Sequence, residues 1–258
     1  MVDFPDDLVD VLRNARSVAV LTGAGISAES GIPTFRDSLT GLWAKFDPMQ
    51  LATPEAFADD PARVTRWYDE RRLMVLGCEP NPAHHALVRM EEGILRNGGH
   101  FTLITQNVDR LHERAGNQRL LELHGSLVEW RSTRTGRSRI FPEAVPFDDY
   151  PPHDGDGGLL RPSVVWFGET LPEGVMEEAE RACRSCDLFI SIGTAGVVYP
   201  AAGLIDMMLN QADSGAGTLE INTQETHSSE RFDWSLLSRA GDILPQLVDS
   251  AFCLGGES

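Results

Sequence analysis

Thr22-Gly23-Ala24-Gly25-Ile26-Ser27-Ala28-Glu29-Ser30-Gly31-Ile32-Pro33-Thr34-Phe35-Arg36-Asp37 decides how this chain is read. The apolar run before it, Val18-Ala19-Val20-Leu21, reads as a strand buried on both faces of a parallel sheet. Gly23, Gly25 and Ala28 then stand at the G-x-G-x-x-A spacing of a dinucleotide-binding turn. Glycines there let the backbone bend sharply and let a pyrophosphate approach main-chain N–H groups. The same spacing also occurs at strand-to-helix turns that serve packing alone. Two features separate it from an ordinary dehydrogenase turn. The acidic-ended second strand expected about 20 residues on is replaced by Thr40-Gly41-Leu42-Trp43-Ala44-Lys45-Phe46-Asp47-Pro48, which is no apolar β-run. Pro33 ends any helix early, which puts Phe35, Arg36 and Asp37 on a loop beside the turn.

At 258 residues and 41% hydrophobic, the chain can bury a substantial core, as one domain or a domain with an insertion. A net charge of −17 argues against nucleic acid, whose phosphates demand a basic face. It would steer basic partners inward, and it also serves solubility alone. The acidic start, Met1-Val2-Asp3-Phe4-Pro5-Asp6-Asp7, lacks a signal peptide's basic and apolar regions. Gly193, Gly196, Pro200, Gly203 and Asp206 break up the longest apolar stretch, 188–209, so it reads as strand, loop and helix rather than a membrane span. A soluble, cytoplasmic protein without membrane or nucleic-acid partners is expected. Of Cys78, Cys183, Cys186 and Cys253, only Cys183 and Cys186 form a C-x-x-C. Structural zinc usually takes two such pairs, so these two read as structural.

Apolar β-runs at 17–22, 101–105, 120–123, 163–167, 187–193 and 217–222 alternate with helical patterns at 5–15, 54–76, 82–97, 173–186, 200–212 and 242–251. This alternation predicts an α/β fold: a Rossmann-like, mainly parallel sheet with helices on both faces. Residues 37–80, mostly helical, and 127–162, irregular and rich in proline, do not fit the wound sheet. They are expected to form a small inserted lobe. Residues 1–36, 81–126 and 163–258 would form the dinucleotide-binding domain, with a cleft between the two parts.

Four strands end in polar residues at what should be one sheet edge. Leu103-Ile104-Thr105 runs into Gln106-Asn107-Val108-Asp109-Arg110-Leu111-His112, and Leu121-Glu122-Leu123 into His124-Gly125-Ser126. Ile190-Ser191-Ile192 runs into Gly193-Thr194-Ala195-Gly196, and Leu219-Glu220-Ile221 into Asn222-Thr223-Gln224. Sites in parallel sheets are built at such ends. Asn107 and Asp109 can pair with a carboxamide such as that of nicotinamide. His124 titrates near neutrality and can accept a proton from a ribose hydroxyl. The small residues 193–196 admit a ligand closely. Singly, each segment is also an ordinary loop start. His112 is a rival base, although three residues past Asp109 it reads as part of a helix face.

In order and spacing these segments resemble the sirtuin family of NAD-dependent protein-lysine deacylases. The resemblance lies in Gly23–Ser27, Gly31–Arg36, Thr105–His112, Leu123–Gly125, Leu160–Glu169, Gly193-Thr194 and Ile221-Asn222. It implies NAD as cofactor and acylated lysine side chains of proteins as partners. The implied reaction cleaves nicotinamide from ribose and moves the acyl group to ADP-ribose, leaving free lysine and O-acyl-ADP-ribose. His124 would be the general base, and Asn107 and Asp109 would hold nicotinamide. Phe35 would shield the reactive carbon. Gly23, Ala24, Gly25, Ser27, Arg36, Gln106, Gly193, Thr194, Asn222 and Ala240 would complete the cofactor contacts. Val165, Trp166 and Phe167, facing Val197, Val198 and Tyr199, would take the substrate peptide as an added strand.

Tyr68 and Arg71, three apart in a helical segment, share a face. Without further context they read as a core aromatic beside a solvated Arg71-Arg72 run. The Tyr-x-x-Arg spacing also resembles the sirtuin branch that accepts succinyl- or malonyl-lysine, and a guanidinium fork suits such a carboxylate. Most sirtuins carry two cysteine pairs between the His-Gly and Leu-Arg-Pro segments, yet residues 127–159 contain none. Ser132 and Thr135 stand near the first pair's place, and His153, Asp154 and Asp156 near the second's. A lobe without zinc is therefore expected, with Trp130, Ile140, Phe141, Phe147 and Tyr150 as its apolar core. Two other readings stay open: ADP-ribosyl transfer or NAD hydrolysis in the same pocket, and non-catalytic NAD sensing.

Overall fold

A computed structural model describes residues 3–34, 48–210 and 215–252. Strands β1 (Ser17–Thr22), β2 (His100–Thr105), β3 (Leu120–Glu122), β7 (Leu188–Ile192), β8 (Gly217–Asn222) and β9 (Trp234–Leu237) form one parallel sheet, ordered β3-β2-β1-β7-β8-β9. Strand order reverses at β1, which opens a crevice at the carboxyl ends on that side. Alternate residues of the strands feed two cores. Val18, Val20, Leu103, Ile190 and Ile221 pack under α1 (Asp6–Asn14), α4 (Pro82–Arg96) and α8 (Ala240–Phe252). Ala19, Leu21, Ile104 and Phe189 pack under α6 (Val175–Arg184) and α7 (Ala202–Leu209). Helices on both faces explain why these strands read as continuous apolar runs. Among the described residues, no helix is long and apolar enough to cross a membrane.

The predicted helix 54–76 is two helices, α2 (Pro54–Asp59) and α3 (Pro61–Leu76). Pro61 lacks an N–H to continue α2, and Asp60 caps the new helix by accepting the Arg63 N–H at 2.9 Å. Two further expectations are corrected. The run 163–167 does not join the parallel sheet. Its strand is β6 (Leu160–Val164), paired antiparallel with β4 (Gly125–Ser132), which also pairs with β5 (Ser138–Ile140). This three-stranded sheet occupies much of the stretch read as irregular. With α2 and α3 it encloses a third core around Trp67, Tyr68, Trp130, Val164 and Trp166, with Phe141 and Phe147 packed against it. Ile140, expected in that core, is exposed.

Tyr150 contributes a hydroxyl rather than apolar surface, donating to the buried Asp69 at 2.5 Å. Asp69 also accepts the Phe147 N–H and pairs with buried Arg72 at 2.7 Å. Arg72 in turn donates to the carbonyls of Phe141, Glu143 and Val145 at 2.6–3.1 Å. A buried ion pair is tolerated when its remaining hydrogen-bonding capacity is filled in this way. It ties the strandless chain 141–150 to α3.

Where the family resemblance led to the cysteine comparison, Ser132 donates its hydroxyl to Asp154 and accepts the N–H groups of Arg134 and Thr135, each at 3.1 Å. The other Asp154 oxygen accepts the N–H groups of Asp156 and Gly158 at 2.8 and 2.9 Å. The Ser132 hydroxyl and these amides hold the Asp154 carboxyl below its usual pKa. Among the described residues, no three His, Cys, Asp or Glu side chains gather as metal ligands. Cys183 and Cys186 are free and buried, and burial pushes the Cys186 thiol up to about 12, which makes it inert.

Candidate active site

After β1 the chain turns at Gly23 into a 3₁₀ stretch, Ala24–Ser30. Gly23 N–H donates to Ile192 O at 3.0 Å, and Gly25 N–H to Gly193 O at 2.8 Å. A Cβ on Gly23 would lie 2.8 Å from Thr194 Cβ, and one on Gly25 would lie 2.7 Å from Gly193 Cα. The two strand ends therefore cross at a distance that only glycine permits.

His124 follows β3, and its Nδ1 lies 3.0 Å from Gln106 O. A carbonyl only accepts, so Nδ1 carries the proton and Nε2 is left as an acceptor. Burial moves the imidazole pKa below its usual value, with the Gln106 bond opposing, so the ring is neutral at pH 7. The Gln106 side chain donates to Thr194 Oγ1 at 2.9 Å, and Asn222 Nδ2 donates to Thr194 O at 2.9 Å. Asn107 Nδ2 donates to Gly23 O and Ser27 Oγ at 3.2 and 3.1 Å. What this amide offers a ligand is its Oδ1 acceptor. Asp109 accepts from Ser27 Oγ at 2.7 Å and from Leu111 N–H at 2.9 Å. Burial raises its pKa despite these bonds. With both oxygens engaged, Asp109 anchors Ser27, which in turn fixes Asn107. Consecutive residues and hydrogen bonds thus join His124, Gln106, Thr194 and Asn222 to the glycine turn, Ser27, Asn107 and Asp109.

Behind this site lies a histidine pair that sequence reasoning missed. His84 and His112 are buried, with ring centroids 4.8 Å apart. His112 Nε2 lies 3.0 Å from Thr22 Oγ1, and His84 Nδ1 accepts the Asn81 N–H at 3.3 Å. Burial pushes His84 down to about 4 and His112 well below its usual value. Enclosure removes His112 as the rival base. The segment Asn81-Pro82-Ala83-His84 signalled only a helix start, and nothing in it marked the histidine as buried.

Of the residues expected to meet a substrate peptide, Phe167, Val197, Val198 and Tyr199 are exposed. The Trp166 side chain is 2% exposed and turned into the lobe core against Phe57 and Tyr68. The Val165 and Phe167 amides donate to His124 O and Ala52 O at 3.0 and 2.9 Å, so the protein itself uses them. Tyr68 is buried, which raises its hydroxyl pKa. Arg71 lies over the Trp67 ring at 3.6 Å and donates to Trp67 O at 2.6 Å. Ala240 opens α8 with its side chain in the main core. Phe35 and Arg36 lie outside the described residues, as does Cys253.

Sheet order, glycine turn and polar strand ends define a Rossmann-like dinucleotide-binding protein with an inserted lobe. Comparison with known proteins narrows this. Residues 23–200 match the Sir2 family. NAD-dependent protein deacylase 1 of Pseudomonas aeruginosa is 46% identical over 255 residues, covering 95% of this chain and 98% of that protein. An NAD-dependent protein deacylase of Thermus thermophilus is 50% identical over 215 residues, covering 83% of this chain and 82% of that protein. Among solved structures, a Sir2 homolog–NAD complex superposes with a TM-score of 0.86 at 41% identity, covering 96% of this chain and 94% of that one. The chain belongs to the Sir2 family.

Proposed function

We propose that this protein is an NAD-dependent protein-lysine deacylase that releases nicotinamide and O-acyl-ADP-ribose. One observation carries the chemistry. The His124 Nδ1–H bond to Gln106 O ties the ring to the network that holds Asn107 and the glycine turn, and leaves Nε2 as an acceptor. This donor and acceptor set fits a nucleotide bearing a carboxamide. When bound, NAD supplies an electrophilic ribose carbon and nicotinamide as leaving group. His124 Nε2 takes the proton of a ribose hydroxyl. Asn107 Oδ1 accepts from the carboxamide, and Asp109 keeps Asn107 in place through Ser27. Gly23, Ala24, Gly25, Gly193, Thr194, Asn222 and Ala240 border the nucleotide; the family resemblance gives Phe35 and Arg36, outside the described residues, the roles of shielding the reactive carbon and contacting phosphate or ribose. The acyl-lysine peptide lies between Phe167 and Val198.

The finer readings belong to the same proposal. Tyr68 and Arg71, on one helix and partly or fully buried in the lobe, give a preference for succinyl- or malonyl-lysine over acetyl-lysine. The lobe, residues 37–80 and 127–162, works without zinc beside a cofactor domain formed by the rest, in a cytoplasmic protein. The test follows nicotinamide and peptide mass in mixtures with NAD and acetyl-, succinyl- or malonyl-lysine peptides. Acyl-dependent nicotinamide release with loss of the acyl mass is expected. Release without an acyl peptide would favour ADP-ribosyl transfer or NAD hydrolysis, and NAD binding without release would favour sensing.

A further inference from the structure

Strand β8 carries a carboxylate in the interior. Glu220 is 2% exposed and alternates with the core residues Leu219 and Ile221. A buried carboxylate needs its lone pairs filled. Three hydroxyls do so. Thr226 Oγ1 donates to Oε1 at 2.7 Å, while Ser229 and Ser235 donate to Oε2, the latter at 3.2 Å. Ser235 is the neighbour of Glu220 on β9, and Thr226 and Ser229 belong to the excursion 223–229. That excursion is closed on itself, with Thr226 N–H donating to Ser229 Oγ at 2.7 Å and Ser228 N–H to Thr226 Oγ1 at 3.3 Å. It begins at Asn222, whose Oδ1 accepts the Thr223 N–H at 2.9 Å while its Nδ2 holds Thr194 O. His227 reaches the same turn, its Cε1 lying 3.4 Å from where a Cβ on Gly196 would stand.

We infer that Glu220 is a positioning residue for nucleotide binding: its hydroxyl clamp pins 223–229 so that Asn222 and the 193–196 turn form a preset wall of the cofactor cleft. The inference rests on the proposed NAD site. Without the clamp, binding must order the excursion, so affinity falls while His124 and Asn107 are untouched. Glu220→Gln retains shape but sets an amide donor against a hydroxyl donor. With saturating acyl peptide, KM for NAD should rise about five- to twentyfold while kcat stays within about twofold. Calorimetric ADP-ribose affinity should weaken in parallel. Ser229→Ala should move both in the same direction, and Ser229→Thr, which restores a hydroxyl, should return them to wild type. A folded Glu220→Gln with unchanged KM and ADP-ribose affinity overturns the inference, as does a kcat loss at constant KM. If Glu220→Gln does not fold, the Ser229 pair decides by the same criteria. A wild-type protein that binds no ADP-ribose would remove the cofactor reading, and this inference with it.

Discussion

Acidification from pH 7.5 to pH 5 should destabilise the protein through His84. This ring is 0% exposed, caps α4 through the Asn81 N–H and packs on His112. Burial lowers its pKa to about 4, against 6.5 in the open chain. Because the folded value is the lower one, the unfolded chain takes up the proton first. The stability contribution is therefore complete above about pH 6.5 and is lost progressively toward pH 4. The full difference amounts to about 3 kcal/mol, of which about 2 kcal/mol is lost by pH 5. Glu122 acts in the opposite sense, because burial raises its carboxyl from 4.5 to about 7 and stability is gained as pH falls through that range. Wild-type data alone would mix the two. His84→Asn cancels Glu122 from the comparison and keeps an acceptor for the Asn81 amide. Urea unfolding followed by circular dichroism at both pH values should show the wild type losing about 2 kcal/mol more than the variant. Equal losses would refute the reasoning.

Other perturbations test the site and lobe. The acid limb of kcat/KM should report His124 with a midpoint below 6.5, since burial lowers that pKa, and His124→Ala should cut turnover by about 10²–10⁴-fold in a pH-rate and stopped-time assay. A midpoint above 6.5 would contradict the assignment. Arg71→Met should reduce desuccinylation at least about tenfold more than deacetylation, because a carboxylate loses its guanidinium partner; equal losses on the two peptides would exclude the acid-binding role. Arg72→Met strands Asp69 in the interior and frees the carbonyls of Phe141, Glu143 and Val145, so thermal or urea unfolding should show a loss of about 3–5 kcal/mol.

Five of the six parallel strands were legible because helices cover both faces, which forces apolar residues at consecutive positions such as Val18 to Leu21; the edge strand β9, which alternates half-buried and exposed residues, shows no such run and was missed. The lobe sheet was not. β4 alternates buried Trp130 with the more exposed Glu129 and Arg131, and β5 is exposed throughout, so neither shows an apolar run. Val164-Val165-Trp166-Phe167 misled for the converse reason: its apolar residues serve the lobe core and the exposed edge rather than the parallel sheet. Motif spacing singled out His124, Asn107 and Asp109, which the fold joins in one hydrogen-bond network. The bond from Ser27 to Asp109 spans 82 residues, and the packing of His84 on His112 is equally a product of topology, so local pattern reveals neither. The packing reading of the glycine turn is met, since the crossing with Gly193 and Thr194 requires Gly23 and Gly25; the pyrophosphate reading belongs to the proposed function.

The most direct test is a crystal structure of the protein with a non-hydrolysable NAD analogue. The account predicts a ribose hydroxyl about 3 Å from His124 Nε2 and the carboxamide facing Asn107 Oδ1. A nucleotide seated away from the glycine turn, or a ribose beyond hydrogen-bond reach of that nitrogen, would contradict it.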